Sequence, residues 1–231
     1  MELQQYVNLH RRWKVTAGGV YYPVGSDCVL YHAYWDGTAV DHSSYGNDGT
    51  VYGASFGTYG LTFDGTDDIV VVANNSEMDV GTGSFSWLFW INYTAGQGAT
   101  RLVGCDYGSG LWFYAVRADG YNQIYDDAWG SYYLTGTTIG AAGEWHLMGY
   151  GVDRIAQKYY RGIDGVWLES SLSNTTESSI TAADIGIGGI PMAPTNGPYN
   201  GVLGETIWWN VFKSQTVFTD YYNFTKARYG L

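Results

Sequence analysis

Basic residues are scarce in this chain. Lysine and arginine together number 11, against 22 aspartates and glutamates, which gives a formal net charge of −11. Binding to nucleic acid or to an anionic membrane surface needs a basic patch that replaces the counterions of the phosphate groups. The charge balance therefore argues against nucleic acid and against anionic membranes as partners.

Cysteine and long apolar runs are scarce as well. Cys28 and Cys105 are too few for a metal cluster or a disulfide framework, and the sequence leaves open whether they are bridged. No run of about 18 apolar residues is present, so we expect no membrane insertion. Residues 1–10 lack the apolar stretch and cleavage site of a secretory signal. We expect an extracellular or virion-surface location, reached after removal of a signal or by release through lysis.

Glycine and aromatic residues, in contrast, are abundant. The 231 residues include 33 glycines, 22 tyrosines and 10 tryptophans, whereas only 14% are charged. Glycine at the breaks between aromatic and β-branched segments is typical of many short strands joined by tight turns. A β-sandwich often reaches this length as one unit, so we predict an all-β chain with one main domain.

Two turn signatures lie close together near the start of the chain. The first is Asp41–Thr50 (DHSSYGNDGT), in which Asn47-Asp48-Gly49 tolerates positive φ. The second is Phe63–Val72 (FDGTDDIVVV), in which Asp64-Gly65 lies between apolar runs as a hairpin tip does. The β-branched run that ends the second block predicts a buried strand.

These two blocks closely resemble the opening of laminin-G-like domains of the concanavalin-A-like lectin/glucanase superfamily. Five later segments resemble the following strands of that family in the same order: Ser84–Ile91, Gly143–Asp153, Lys158–Leu168 with Asp164-Gly165 at a hairpin tip, Asp184–Gly189 and Tyr199–Asn210. The resemblance implies a two-sheet antiparallel jelly-roll sandwich over residues 28–231. Residues 1–27 are then an N-terminal arm, and the pattern from Thr219 to Arg228 predicts one short C-terminal helix.

Catalysis is not expected from the acidic residues. Retaining glucanases of this superfamily carry an E-x-D-x-x-E spacing on one strand, and the sequence lacks it. The adjacent pairs Asp67-Asp68 and Asp126-Asp127 would point to opposite faces of a strand. Tyr121-Asn122-Gln123 matches an element of alginate lyases, but the Arg-rich strand and the Gln-x-His element that accompany it there are absent.

A structural calcium ion is one cofactor that the resemblance implies. Several relatives tie the first strand and the D-x-S turn to a late strand through calcium, which prefers carboxylate and carbonyl oxygens. The corresponding candidates are Asp36, Asp41, Asp48 and Glu205. The alternative is that Asp41 and Asp48 cap turns through their own oxygens and that Glu205 lies on the surface.

A glycan site would combine aromatic rings with amides and carboxylates. The segment 121–133 has that mixture, and two earlier aromatic residues are expected nearby. The candidates are Tyr107, Trp112, Tyr121, Asn122, Asp126, Trp129 and Tyr132. The alternative is that these rings pack within the sheets, since most aromatic side chains in such a chain are buried.

Two functions follow as hypotheses. The first is a non-catalytic recognition or adhesion module that binds glycans or another ligand on the outside of a cell or virion. The second is a structural or decoration protein of a virion or other extracellular assembly. In that case the arm would dock on neighbouring subunits through Arg11, Arg12, Trp13 and Lys14, which include three of the eleven basic residues.

Overall fold

The computed structural model describes residues 13–15, 21–23, 25–94, 100–105, 112–116, 122–126, 130–134, 139–171 and 183–231. Strands account for most of the regular structure. In chain order they are β1 (Trp13–Val15), β2 (Tyr21–Pro23), β3 (Cys28–His32), β4 (Gly49–Tyr52), β5 (Ser55–Gly57), β6 (Gly60–Asp64), β7 (Ile69–Val72), β8 (Phe85–Tyr93), β9 (Thr100–Cys105), β10 (Trp112–Val116), β11 (Asn122–Asp126), β12 (Gly130–Leu134), β13 (Trp145–Asp153), β14 (Lys158–Ile163), β15 (Val166–Ser171), β16 (Ile185–Ile187) and β17 (Asn200–Trp209).

Two antiparallel sheets form a sandwich. The seven-stranded sheet has the order β12-β11-β10-β9-β16-β7-β4, and the eight-stranded sheet has the order β15-β14-β13-β8-β17-β6-β5, with β3 also paired to β17. An α-helix, α1 (Gln215–Thr225), follows the last strand and continues into a 3-10 helix (Lys226–Tyr229). The predicted all-β sandwich with one short C-terminal helix is confirmed. Within the described residues, no helix has the length and apolarity needed to cross a bilayer.

Both faces of the eight-stranded sheet are buried along most of β8, which explains the continuous apolar run of that strand. Side chains alternate between faces along a strand, and Phe85, Trp87 and Phe89 enter the main core between the sheets. Leu88 and Trp90 enter a second core on the outer face. Cys105 belongs to the main core and Cys28 to the second core, and both thiols are free.

The second core is covered by α1 and the residues that flank it. The rings of Trp167 and Phe218 lie 4.4 Å apart, as do those of Trp90 and Tyr229. Gly162 permits this close packing because a Cβ there would lie 2.4 Å from the Phe218 ring. Burial of aromatic side chains on this scale is a large favourable contribution to folding.

The helix begins four residues earlier than the predicted Thr219. Its first turn is anchored on the hairpin between β14 and β15, where Gln215 Nε2 and Thr219 Oγ1 donate to the Gly165 carbonyl at 2.6 and 2.7 Å. Tyr221 is buried, whereas Tyr222 is only partly buried. The Tyr221 hydroxyl contacts a polar partner on β17.

That partner is Glu205, which is 1% exposed on the outer face of β17. Its carboxylate accepts hydrogen bonds from the Tyr221 hydroxyl and the Arg228 guanidinium, and from Trp35 Nε1 at 2.8 Å. Burial raises the pKa of Glu205, while the positive charge of Arg228 acts in the opposite direction. The alternative that Glu205 lies on the surface is therefore wrong.

The N-terminal arm contains a β-hairpin, because β1 and β2 form a separate two-stranded sheet. The residues just before β3 contact the sandwich. The Tyr45 hydroxyl donates to the Ser26 carbonyl at 2.5 Å, and Asp27 pairs with Lys213 at 2.5 Å. The arm boundary at residue 27 stays a prediction, but a deletion that removes only the hairpin region should end at residue 24.

Replacing Arg228 with methionine would leave the Glu205 carboxylate buried without its cation. We expect the free energy of unfolding, measured by urea denaturation, to fall by about 3 kcal/mol. Lys226→Met is a matched control in the same 3-10 helix, since its ammonium lies 5.1 Å from the Tyr222 ring centroid, and we expect a loss below about 1 kcal/mol. Equal losses in the two variants would contradict the role given to Arg228.

Candidate functional site

Asp41, one of the predicted calcium ligands, organises the first turn signature by hydrogen bonding. Its Oδ1 accepts from the backbone N–H groups of Tyr31 and Ser43 at 2.8 and 2.9 Å. Its Oδ2 accepts from the Asn47 N–H at 2.8 Å and from the Ser43 hydroxyl at 2.6 Å. Both carboxylate oxygens are therefore engaged, as the capping alternative expects.

The turn closes the free edge of β3. Asn47 Nδ2 donates to the Val29 carbonyl at 2.6 Å, and the His42 N–H donates to the Tyr31 carbonyl at 2.8 Å. Unpaired strand edges invite pairing with other chains. The signature thus supplies side chains and backbone groups that satisfy this edge.

His32 joins β3 to the same turn from the buried side. Its Nε2 lies 2.9 Å from the Asn47 carbonyl and its Nδ1 lies 3.1 Å from the Tyr34 hydroxyl. Burial lowers the pKa of the His32 imidazole. Because a carbonyl only accepts, Nε2 carries the hydrogen, and Nδ1 of the neutral ring accepts from Tyr34.

The other predicted calcium ligands have separate partners. Asp48 Oδ1 accepts from the Asp41 N–H at 2.8 Å, and Asp36 Oδ2 lies 2.7 Å from His42 Nε2. Glu205 belongs to the second core. Across the described part of the chain, the group of acidic residues close enough to share an ion is a different one, Asp64, Asp67 and Asp68. Calcium binding by the four predicted residues stays a prediction.

Three of the seven residues predicted for glycan binding lie outside the described residues: Tyr107, Tyr121 and Trp129. The other four belong to adjacent strands of the seven-stranded sheet. Trp112 is in β10, Asn122 and Asp126 are in β11, and Tyr132 is in β12.

Strand register relates these four positions to Tyr114, a buried residue of β10. Trp112 is opposite Asp126, and Ile124 is opposite both Tyr114 and Tyr132. Tyr114 belongs to the main core. A glycan site at the four predicted positions stays a prediction.

Of the predicted assembly residues, Arg11 and Arg12 lie outside the described residues. Trp13 and Lys14 are in β1, opposite Pro23 and Tyr22 of β2. Assembly through these residues stays a prediction.

A row of exposed and partly buried side chains crosses the outer face of the eight-stranded sheet next to the area covered by α1. Register aligns one residue from each of five strands along this row, and Tyr59 of the β5–β6 turn stands beside it. We call this surface the outer shelf: Ser55, Tyr59, Thr62, Asn92, Trp145 and Val202.

Two aromatic rings dominate the outer shelf. Tyr59 is 52% exposed, and its ring centroid lies 6.3 Å from that of the partly buried Trp145 in an edge-to-face arrangement. The Trp145 ring also packs against the ring of Tyr229, whose centroid lies 4.4 Å away. Glycine at position 204 makes this possible, because a Cβ there would lie 2.3 Å from the Tyr229 hydroxyl.

Polar contacts position the start of β13, which carries Trp145. Asp164 Oδ2 lies 2.9 Å from His146 Nδ1, and Asp164 Oδ1 accepts from the Leu147 N–H at 3.0 Å. Asn92 Nδ2 donates to the Gly143 carbonyl at 2.9 Å, which leaves Asn92 Oδ1 on the shelf. The shelf is therefore a defined surface with two rings, an amide oxygen and a threonine hydroxyl.

Sequence reasoning did not identify the shelf residues as a site. Trp145 was noticed only as part of a strand resembling the family pattern, and Tyr59 lies in a turn without a motif. A usable signal was the position of Tyr59 between two glycines three residues apart, Gly57 and Gly60, because an aromatic side chain in a tight turn tends to be exposed.

Comparisons with known proteins support the fold. No protein-family model matches the chain, and no curated protein matches it. Among solved structures, the botulinum neurotoxin serotype G binding domain is similar with 14% identity and a TM-score of 0.69, covering 87% of this chain and 51% of that one. The chain thus spans about half of that neighbour.

Two further structures share the fold. Domain 4 of AbnA, an extracellular GH43 arabinanase from Geobacillus stearothermophilus solved with arabinotriose, is 13% identical with a TM-score of 0.66, covering 84% of this chain and 97% of that one. A Trypanosoma rangeli sialidase is 13% identical with a TM-score of 0.64, covering 97% of this chain and 38% of that one. At these identities the likeness shows the β-sandwich fold alone.

Replacing Asp41 with asparagine would place an amide donor against the Asn47 N–H. We expect the free energy of unfolding to fall by about 2 kcal/mol, because buried donors lose their acceptor. The loss should be the same in EDTA and in calcium. Asp48→Asn is the matched control. Its amide oxygen can still accept from the backbone N–H of Asp41, so we expect a loss below about 1 kcal/mol.

A different outcome would support calcium instead. If EDTA lowers the melting temperature of the unmodified chain, and the deficit of Asp41→Asn disappears in EDTA, then Asp41 acts as a metal ligand and the hydrogen-bonding account of its role fails.

Proposed function

We propose that this chain is a non-catalytic recognition module on the outside of a cell or virion, which binds glycans through the outer shelf. The observation that carries the proposal is the ring pair Tyr59–Trp145 on the outer sheet face, in the same row as the partly buried Asn92 and the exposed Thr62. Membership in the laminin-G-like group of the concanavalin-A-like superfamily is part of the proposal, supported by the order of the sequence motifs and by the fold.

The chemistry of the shelf suits a sugar. Apolar C–H faces of sugar rings pack on aromatic rings, and hydroxyl groups exchange hydrogen bonds with amides and hydroxyls. Trp145 and Tyr59 would supply the apolar contact, and Asn92 Oδ1 would accept from a sugar hydroxyl. The match to an arabinanase domain solved with arabinotriose supports a carbohydrate ligand, since that domain has a similar fold.

Binding without catalysis is proposed because the sequence lacks the E-x-D-x-x-E spacing of the superfamily's retaining glucanases. One of the similar structures is a sialidase, but the match covers 38% of that chain. An enzyme match of this extent does not transfer an activity.

Truncating Tyr59 to alanine tests the shelf with little risk to folding, because the side chain is 52% exposed. We expect retention on the bound polysaccharide, measured by affinity electrophoresis against a panel of soluble glycans, to fall about tenfold, equivalent to 1.4 kcal/mol. Tyr52→Ala is the matched control, since Tyr52 is 55% exposed at the end of β4 in the other sheet. Unchanged retention of Tyr59→Ala and Trp145→Ala would rule out the shelf as the binding surface.

Assembly through the arm is the second candidate function. It is favoured by one observation: β1 and β2 form a two-stranded sheet apart from both sheets of the sandwich. A hairpin of this kind is marginally stable alone and gains stability by packing on another surface.

Light scattering after size exclusion tests the assembly candidate. We expect the full chain to have the mass of a defined oligomer and the chain lacking residues 1–24 to be a monomer of unchanged melting temperature. A monomeric full chain would contradict the assembly role and leave the recognition module in place.

A further inference from the structure

The outer shelf has a definite length and direction. Its row runs Trp145, Asn92, Val202, Thr62 and Ser55, perpendicular to the strands β13, β8, β17, β6 and β5. Four gaps between adjacent strands, each about 4.8 Å, make the row roughly 19 Å long. An elongated ligand lying across the strands would follow this row and meet the rings of Tyr59 and Trp145.

The two long sides of the row, one toward α1 and one away from it, carry different side chains. On the helix side, Gly57 and Gly60 face each other across β5 and β6, so that part of the floor has no side chains. The Tyr229 hydroxyl lies over Gly204 and closes the same side nearer to Trp145. On the opposite side, Asn200 and Asp64 are register partners and form a polar border. The row is therefore a shallow channel with an aromatic end.

The charged group bordering the channel is acidic. Asp64 is exposed on β6, two residues beyond Thr62 on the same face. Among the nine described residues that form or border the channel, which are the six shelf residues together with Asp64, Asn200 and Tyr229, none is lysine or arginine. The Glu144 carboxylate lies 3.9 Å from His146 Nε2, on the other face of β13 from Trp145. The nearby Arg228 is paired with Glu205. A ligand carboxylate or sulfate would meet like charge there without a cation to compensate it.

The net charge of −11 also disfavours acidic ligands, and it does so over a longer range. Hydroxyl groups, in contrast, can donate to Asp64. The polar surface of the channel is therefore complementary to an uncharged ligand that is rich in donors.

We propose that the outer shelf selects neutral, linear oligosaccharides that lie across the strands, and that it discriminates against glycans carrying carboxylate or sulfate groups. This inference rests on the proposed function, since it names the ligand class of the same surface. Recognition combines ring stacking at the Trp145 end with hydroxyl donation to the acidic border.

The test is a panel of linear oligosaccharides of two to eight units, measured with the full chain by affinity electrophoresis and titration calorimetry. Neutral arabinose, galactose, xylose and glucose oligomers are compared with uronic, sulfated and sialylated ones. We expect all retained ligands to be neutral, with affinity rising with length and levelling off once the ligand spans the row. Acidic counterparts should bind at least tenfold more weakly in low salt, and salt should reduce this difference.

A charge-removal variant tests the acidic border directly. Asp64→Asn should reduce the discrimination between neutral and acidic ligands at least threefold. Glu77→Gln is the matched control, because it removes a charge from the 3-10 helix Ser76–Met78 that follows β7 and should leave the discrimination unchanged. An unchanged ratio in Asp64→Asn would overturn the role of this carboxylate.

The outcomes separate the inference from the function on which it rests. Retention of acidic ligands that is lost in Tyr59→Ala would overturn the selection of neutral glycans and leave the shelf as a glycan site. Retention of no ligand in the panel would overturn both.

Discussion

One buried carboxylate connects the parts of this molecule that lie outside the main core. Glu205 joins β17 to the 3-10 helix Tyr34–Asp36 through Trp35 and to the C-terminal segment through Tyr221 and Arg228. A buried charge is costly unless it is paired and hydrogen-bonded, so these contacts must form together. The cost of burying Glu205 thus specifies one position for the C-terminal segment rather than several apolar alternatives.

The position of that segment determines the outer shelf. Once Arg228 reaches Glu205, the next residue, Tyr229, packs between Trp90 and Trp145, with ring centroids 4.4 Å from each. Trp145 is then held at the edge of the covered area, partly buried and next to the exposed Tyr59. The same helix covers part of the outer sheet face and ends where the row begins, so the packing that stabilises the sandwich also delimits its proposed binding surface.

Local turn chemistry could be predicted from the sequence, and long-range pairing could not. Asp164-Gly165 was expected at a hairpin tip, and both residues have positive φ, 50° and 85°. Gly65 likewise has φ 79°. Glu205, in contrast, was considered either a calcium ligand or a surface residue, because its partners Trp35 and Arg228 are 170 and 23 residues away. Nothing within a local window of sequence indicates such a buried cluster, and the candidate site was missed for the same reason, since its row draws on five strands.

The acidic residues have different roles in different parts of the fold. The Asp41 carboxylate accepts hydrogen bonds from four donors in the turn that closes the edge of β3. The Glu205 carboxylate binds the C-terminal segment through Tyr221 and Arg228. Asp64 is exposed beside the shelf, where a carboxylate stabilises little in the fold because solvent screens it. An exposed charge with little effect on stability can act on a ligand, which is why Asp64, rather than the more deeply buried acids, would distinguish one glycan from another.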